Sequence, residues 1–179
     1  METERKFIVD ASKLPALKNG VRIVQGYLAA EHGKNGREVR LRAKGNRYYM
    51  ATKEGNGLQR PEREREIDYG LFHYFWPCTN RRRLEKTRYV ITLEPQYIPS
   101  EDRDFVEKIE FKAEIDVYEG KLEGLIVVEV EFDSKREAHY FSMPEWFGRE
   151  VTYDPHYRNK NLALHGLPPD FVKEVSTKN

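Results

Sequence analysis

The feature that most constrains this chain is a period-two alternation of charge that recurs in segment after segment. Glu2, Glu4 and Lys6 are spaced two apart, as are Arg40 and Arg42, and Arg60, Glu62 and Glu64. The same spacing returns in Lys86 and Arg88, in Lys112, Glu114 and Asp116, and in Glu129 and Glu131. Successive side chains of an extended strand point to opposite faces, so each set falls on one face. The intervening positions are apolar in Val39 and Leu41, in Phe111, Ala113, Ile115 and Val117, and in Val128, Val130 and Phe132. An ordinary solvated face mixes Thr, Ser, Gln and Lys. Here strand after strand offers Glu, Arg or Lys in pairs, and like-charged neighbours repel unless opposite charge sits between them. A sheet rolled with its charged side inward supplies that opposite charge, and its interior must then hold something charged.

The extended segments are Glu2–Asp10, Val21–Leu28, Val39–Tyr49, Tyr48–Lys53, Leu58–Ile67, Lys86–Leu93, Lys108–Tyr118 and Leu125–Phe132. Lys44-Gly45-Asn46 reads as a hairpin turn and Gly55-Asn56-Gly57 as a second turn. Helices are fewer. Tyr69–Phe75 is expected behind an Asp68 N-cap and ends before Pro77. A second runs to Tyr140 behind Asp133 or Ser134, with Glu137 as capping-box partner. Ser100–Glu107 is expected to be helical, and Lys160–Leu164 to form a last short turn. The fold expected is mainly β (α+β): an eight-stranded antiparallel β-barrel with a few helices packed outside.

The basic residues on the charged face suit phosphoryl oxygens, bidentately for Arg. The Glu pairs suit a hard divalent cation with oxygen ligands, Mg²⁺ or Mn²⁺. Both kinds of side chain together describe a site for a metal-bound polyphosphate. Without ligand, the clustered acids and bases would partly satisfy each other.

In this light the sequence resembles the CYTH superfamily, also called triphosphate tunnel metalloenzymes. Glu2-Thr3-Glu4-Arg5-Lys6 matches its Glu-x-Glu-x-Lys signature. In order follow Gln25-Gly26-Tyr27-Leu28, Glu38-Val39-Arg40-Leu41-Arg42, Thr52-Lys53, Glu85-Lys86-Thr87-Arg88-Tyr89, Glu114-Ile115-Asp116-Val117, Val128-Glu129-Val130-Glu131-Phe132 and Trp146–Thr152. The likeness spans residues 2–163 and is greatest to the small single-domain bacterial inorganic triphosphatases, which implies one domain over 1–179 with 164–179 a loosely ordered tail. It implies a β tunnel open at both ends. Lys6, Arg40, Arg42, Lys53, Lys86 and Arg88 would grip the triphosphate, and Glu2, Glu4, Glu129 and Glu131 would hold the metal. Glu62 and Glu64 would serve a second metal or position water, Lys6 would act at the reacting phosphoryl group, and Arg60 would add one more phosphate contact. Glu114 and Asp116 match a strand whose acids also face the tunnel. Tyr27 is a candidate for the tunnel wall. The stretch Glu94–Lys108 is longer than the corresponding family hairpin and would form a lid or a surface loop. Arg63 and Arg65 alternate with the acids where an apolar wall is expected.

The 179 residues carry 31 Lys+Arg against 30 Asp+Glu, a net charge of +1. That balance argues against a nucleic-acid or membrane-surface binder, so a small-molecule substrate is expected. Cys78 is the only cysteine, which excludes an internal disulfide and a thiolate zinc site. With no signal peptide or transmembrane run, a cytoplasmic location is expected. The function expected is metal-dependent hydrolysis of inorganic tripolyphosphate to pyrophosphate and phosphate. The alternatives share the grip: a class IV adenylyl cyclase, a thiamine triphosphatase, a nucleoside or RNA triphosphatase, or a non-catalytic polyphosphate-binding module.

Overall fold

The computed structural model describes residues 3–30, 37–54, 62–100 and 105–172. Its strands in chain order are β1 (Thr3–Ile8), β2 (Val21–Ala30), β3 (Arg37–Lys44), β4 (Arg47–Glu54), β5 (Glu62–Ile67), β6 (Arg83–Thr92), β7 (Gln96–Pro99), β8 (Val106–Ile109), β9 (Lys112–Tyr118) and β10 (Ile126–Phe132). Eight of them form one antiparallel sheet in the order β1-β10-β9-β6-β2-β3-β4-β5, while β7 and β8 make a separate hairpin. Gly45 turns β3 into β4 at φ +57°, a left-handed conformation that glycine adopts at little cost. The expected turn at 55–57 lies outside the described residues.

Cross-strand register decides which residues share a face. Lys6 lies opposite Glu129, Glu129 opposite Glu114, Arg88 opposite Asp116, Tyr27 opposite Arg40 and Ala51 opposite Glu64. Followed around the sheet, these pairs put every charged set on one face. The other face is apolar over β10 and β9, and Phe7 of β1 and Tyr89 and Ile91 of β6 extend it. Phe7, Ala113, Ile115, Val128, Val130 and Phe132 are buried there with Phe111, Phe141 and Phe147. Phe111, Phe132 and Phe141 meet edge to face, at centroid separations of 5.2–5.3 Å.

The sheet curls toward its charged face. Glu4 on β1 feels the charge of Lys53 on β4, and Lys6 acts on Tyr27 of β2. In a flat sheet six strand spacings would separate β1 from β4 by about 29 Å. The expected closed barrel is not formed, however: β1 and β5 are the sheet's two edges among the described residues. The free edge of β1 is already taken. Ile8 N–H donates to the Arg149 carbonyl (3.0 Å), Gly148 N–H to the Ile8 carbonyl (2.9 Å) and Val151 N–H to the Lys6 carbonyl (2.8 Å). With those groups bonded to the 148–151 segment, β1 has no row of backbone partners left for β5.

The helices α1 (Tyr69–Phe75), α2 (Lys135–Tyr140) and α3 (Asn159–His165) follow their local signals. Asp68 caps α1 by accepting the Leu71 N–H at 2.9 Å. Ser134 caps α2, accepting the Glu137 N–H at 3.1 Å, and the Glu137 carboxylate accepts the Asp133 N–H at 3.1 Å. The expected helix at Ser100–Glu107 is instead the β7–β8 hairpin, with residues 101–104 outside the description. Ser100 N–H donates to the Phe105 carbonyl at 2.8 Å. Gln96 exchanges two hydrogen bonds with the Ser142 backbone, and the Arg136 guanidinium joins the Pro99 carbonyl to Glu107. These tertiary bonds override the local helical signal and clamp the hairpin to α2, as a surface element rather than a lid. Lys108–Tyr118 is accordingly not one strand but two, broken at Glu110–Phe111. Among the described residues no helix is long and apolar enough to cross a membrane.

Candidate active site

The concave face is built by strand alternation alone. Each charged side chain has its chain neighbours committed to the opposite face, and beside Arg40, Arg42, Glu114, Asp116 and Glu129 those neighbours are apolar. Lys6, Arg40, Arg42, Lys86 and Arg88 converge there with Glu4, Glu64, Glu114, Asp116 and Glu129.

The charges meet in two groups. In the first, the Lys6 ammonium sits 2.7 Å from Glu129 and 3.1 Å from Glu4. Arg88 donates to Glu129 at 2.7 Å, binds both oxygens of Asp116 at 2.6 Å, and reaches Glu114. Lys86 also contacts Asp116, and that pair is fully withdrawn from water, with Lys86 2% and Asp116 0% exposed. In the second group Arg42 donates to both oxygens of Glu64, at 2.5 and 2.7 Å, and Arg40 reaches the same carboxylate at 3.4 Å. The Arg42 guanidinium lies over the Tyr49 ring, 5.5 Å from its centroid.

The electrostatics follow from burial and these contacts. Burial raises the Glu4 carboxyl above its ordinary value and the nearby Glu129 charge adds to that rise, offset in part by Lys6 and Lys53. Burial works against ionised Glu129 as well, but Lys6, Arg88 and Lys86 outweigh it and hold that carboxyl well below its usual range. Burial would lower Lys6, yet the Glu129 and Glu4 charges carry it above an ordinary lysine. For Lys86 desolvation prevails over Asp116, and the ammonium is depressed. Arg88 is fixed in its charged form by Asp116, Glu129 and Glu114 against the cost of burial.

The remaining expected residues place as follows. Glu131 lies opposite Glu4 on the concave face and is exposed. Lys53 lies on the same face, in register with Glu62 of β5. Tyr27 is buried, and its hydroxyl accepts the Gln25 amide at 2.7 Å, so it forms wall rather than reactive surface. Glu2, Arg60 and the Glu62 side chain lie outside the described residues. Arg63 and Arg65 occupy the convex side of β5 and are exposed.

One end of the face is covered, where a passage open at both ends is expected. Ile8, Tyr27, Leu84, Tyr118 and Val127 share the concave side, and they are buried against Val151, Tyr157, Leu162 and Ala163. The α3 residues responsible escape the sequence reading. Asn159 Oδ1 accepts from the Tyr118 hydroxyl at 2.6 Å and from Lys86 at 3.4 Å, while Lys160 pairs with buried Glu38 at 3.1 Å. No local pattern marks these contacts, which join residues 41 or more positions apart. Beyond α3, Leu167 and Phe171 pack on the same cluster, and Asp170 bonds Arg149 and the Tyr157 hydroxyl.

Among the described residues no three of His, Cys, Asp and Glu converge closely enough to form a ready metal cage. The donor chemistry nonetheless fits a hard cation. Glu4 and Glu129 stand near enough for one to raise the other, Glu131 is adjacent, and all supply carboxylate oxygen.

No protein-family model matches the chain. It is 41% identical over 163 residues to a protein named inorganic triphosphatase from Nitrosomonas europaea, covering 91% of this chain and 97% of that one. It is 33% identical over 167 residues to an inorganic triphosphatase of Acetivibrio thermocellus, covering 90% and 92%. Among solved structures, the crystal structure of the inorganic triphosphatase NE1496 superposes with a TM-score of 0.64 at 38% identity, covering 94% of this chain and 97% of that one.

Proposed function

Because the chain belongs to the inorganic triphosphatase family, we propose that its charged concave face is a channel in which tripolyphosphate is hydrolysed to pyrophosphate and phosphate. The observation that supports this best is the convergence of Lys6, Arg40, Arg42, Lys86 and Arg88 from three strands onto one face, interleaved with carboxylates. Tripolyphosphate carries about four to five negative charges near neutral pH, its terminal second pKa being near ~6. With Lys53 the face offers six cations to meet them, and Arg60 would add one more contact.

Each cation has a task set by its position. The Arg40, Arg42 and Arg88 forks bind phosphoryl oxygens in a fixed plane, while Lys6, Lys53 and Lys86 supply point charges. Together they hold the chain in line and offset the charge that builds on the bridging oxygen as it leaves. Water forms the new P–O bond and the bridging P–O bond breaks, with Glu62 or Glu64 accepting the proton of the attacking water. Asp116, bonded to Lys86 and Arg88 and sealed from solvent, holds both cations in place, and Glu114 adds a second carboxylate to Arg88. Glu4, Glu129 and Glu131, with Glu2, would hold Mg²⁺ or Mn²⁺. When bound, that ion neutralises and polarises phosphoryl oxygens.

The test is phosphate release from tripolyphosphate, ATP, thiamine triphosphate and pyrophosphate, each with Mg²⁺, Mn²⁺ or chelator. Fast metal-dependent release from tripolyphosphate is expected. Equal or faster turnover of an organic triphosphate would move the assignment to that substrate, and no turnover would end it.

A further inference from the structure

We infer that Glu64 acts as an internal stand-in for a phosphoryl group, and that substrate binding releases it. This rests on the reading of the concave face as a tripolyphosphate site. The acids that contact the phosphate-gripping cations fall into two kinds. Asp116 is fully buried and Glu129 nearly so; neither can return to water when its partners change. Glu64, with 26% of its side chain exposed, belongs with Glu114 (28%) and Glu4 (40%) among the acids that reach water. Glu64 engages both Arg42 and Arg40, and its two oxygens both take the Nη2 of Arg42, a donor that a phosphoryl group would use. The Arg42 Nε is buried and has no hydrogen-bond partner. Glu64 therefore leaves part of that guanidinium's donor capacity unused, capacity a tetrahedral anion with more acceptor oxygens can meet.

Two consequences follow. In the free protein Glu64 keeps Arg40 and Arg42 ordered and neutralised, so two like charges on neighbouring positions of one face do not repel unopposed. An arriving phosphoryl group that takes over Arg42 returns the Glu64 carboxylate to solvent.

The stand-in competes with substrate, and that competition is measurable without turnover. Tripolyphosphate binding is followed by isothermal titration calorimetry in chelator, with no divalent metal, on wild type, Glu64→Gln, Glu129→Gln and Arg42→Ala. Removing the competing charge at Glu64 is expected to tighten metal-free binding about tenfold or more, the order of effect of one charge-assisted contact. Glu129→Gln serves as the second acid variant; because Glu129 is held by Lys6 and Arg88 rather than by Arg42, a smaller gain is expected. Arg42→Ala is expected to weaken binding in every background. If Arg42→Ala weakens binding but Glu64→Gln leaves it unchanged or weaker, the stand-in role is overturned while the site stands. If Arg42→Ala has no effect, the site assignment itself fails. Circular dichroism and thermal melts of each variant establish that the titrated protein is folded.

Discussion

Asp116→Ala probes how the concave face tolerates its own charge. Asp116 is fully buried, contacts Lys86, which is 2% exposed, and binds Arg88 through both oxygens. Removing it strands an ammonium away from water and takes two bonds from a guanidinium. Breaking a buried pair from one side costs about 3–5 kcal/mol. With a urea slope near ~2 kcal/mol/M, the unfolding midpoint should fall by about 1.5–2.5 M. Lys86→Met should be milder, because Asp116 keeps its two bonds to Arg88. The double variant Lys86→Met with Asp116→Leu should recover to within about 1 kcal/mol of wild type, since Arg88 retains Glu129 and Glu114 and the rest becomes apolar. Equilibrium urea unfolding read by circular dichroism makes the comparison. An Asp116→Ala variant within 1 kcal/mol of wild type, or a double variant as unstable as the single one, would refute the reasoning.

Gly148→Ala should destabilise the chain by about 1–3 kcal/mol, read as a lowered melting temperature, because its Cβ would lie 2.5 Å from the Ile8 carbonyl oxygen and push the 148–151 segment off β1. Glu150 carries a pH-dependent share of stability. Its carboxyl lies below the usual 4.5, held there chiefly by its hydrogen bonds from Arg5. A depressed acid contributes fully above its unfolded value and loses that contribution as pH falls through its folded one. Thermal melts from neutral pH downward should therefore show the gap between wild type and Glu150→Gln constant above pH 4.5 and narrowing below it; a constant gap throughout would contradict the assignment.

The partition of the concave and convex faces was legible in the sequence because it depends only on strand periodicity. Glu4 and Lys6 on β1, Arg40 and Arg42 on β3, and Glu129 and Glu131 on β10 each fall on one face wherever the strand ends. Helix starts were legible for a similar reason, since Asp68 and Ser134 cap through bonds three residues away. What was not legible depends on distant partners. The β7–β8 hairpin is set by Gln96–Ser142 and Arg136–Glu107, which no local signal near Ser100 reveals. The open edge of the sheet follows from backbone bonds between β1 and residues 148–151, and backbone groups leave no trace in side-chain pattern. The cover over one end of the face rests on Asn159 and Lys160, whose helix is too short to carry a periodicity pointing at Lys86 and Glu38.

Two arginines on opposite faces of the same sheet offer the most direct test of the central claim. Arg42 points into the concave face toward Glu64, whereas Arg22 points outward and pairs with Glu85. Phosphate release from tripolyphosphate with Mg²⁺ should fall by about 10²–10³-fold in Arg42→Ala, the loss typical of one transition-state donor. It should stay within about twofold in Arg22→Ala, since an exposed ion pair on the far face is worth little. Equal losses in both variants, or none in Arg42→Ala, would contradict the account.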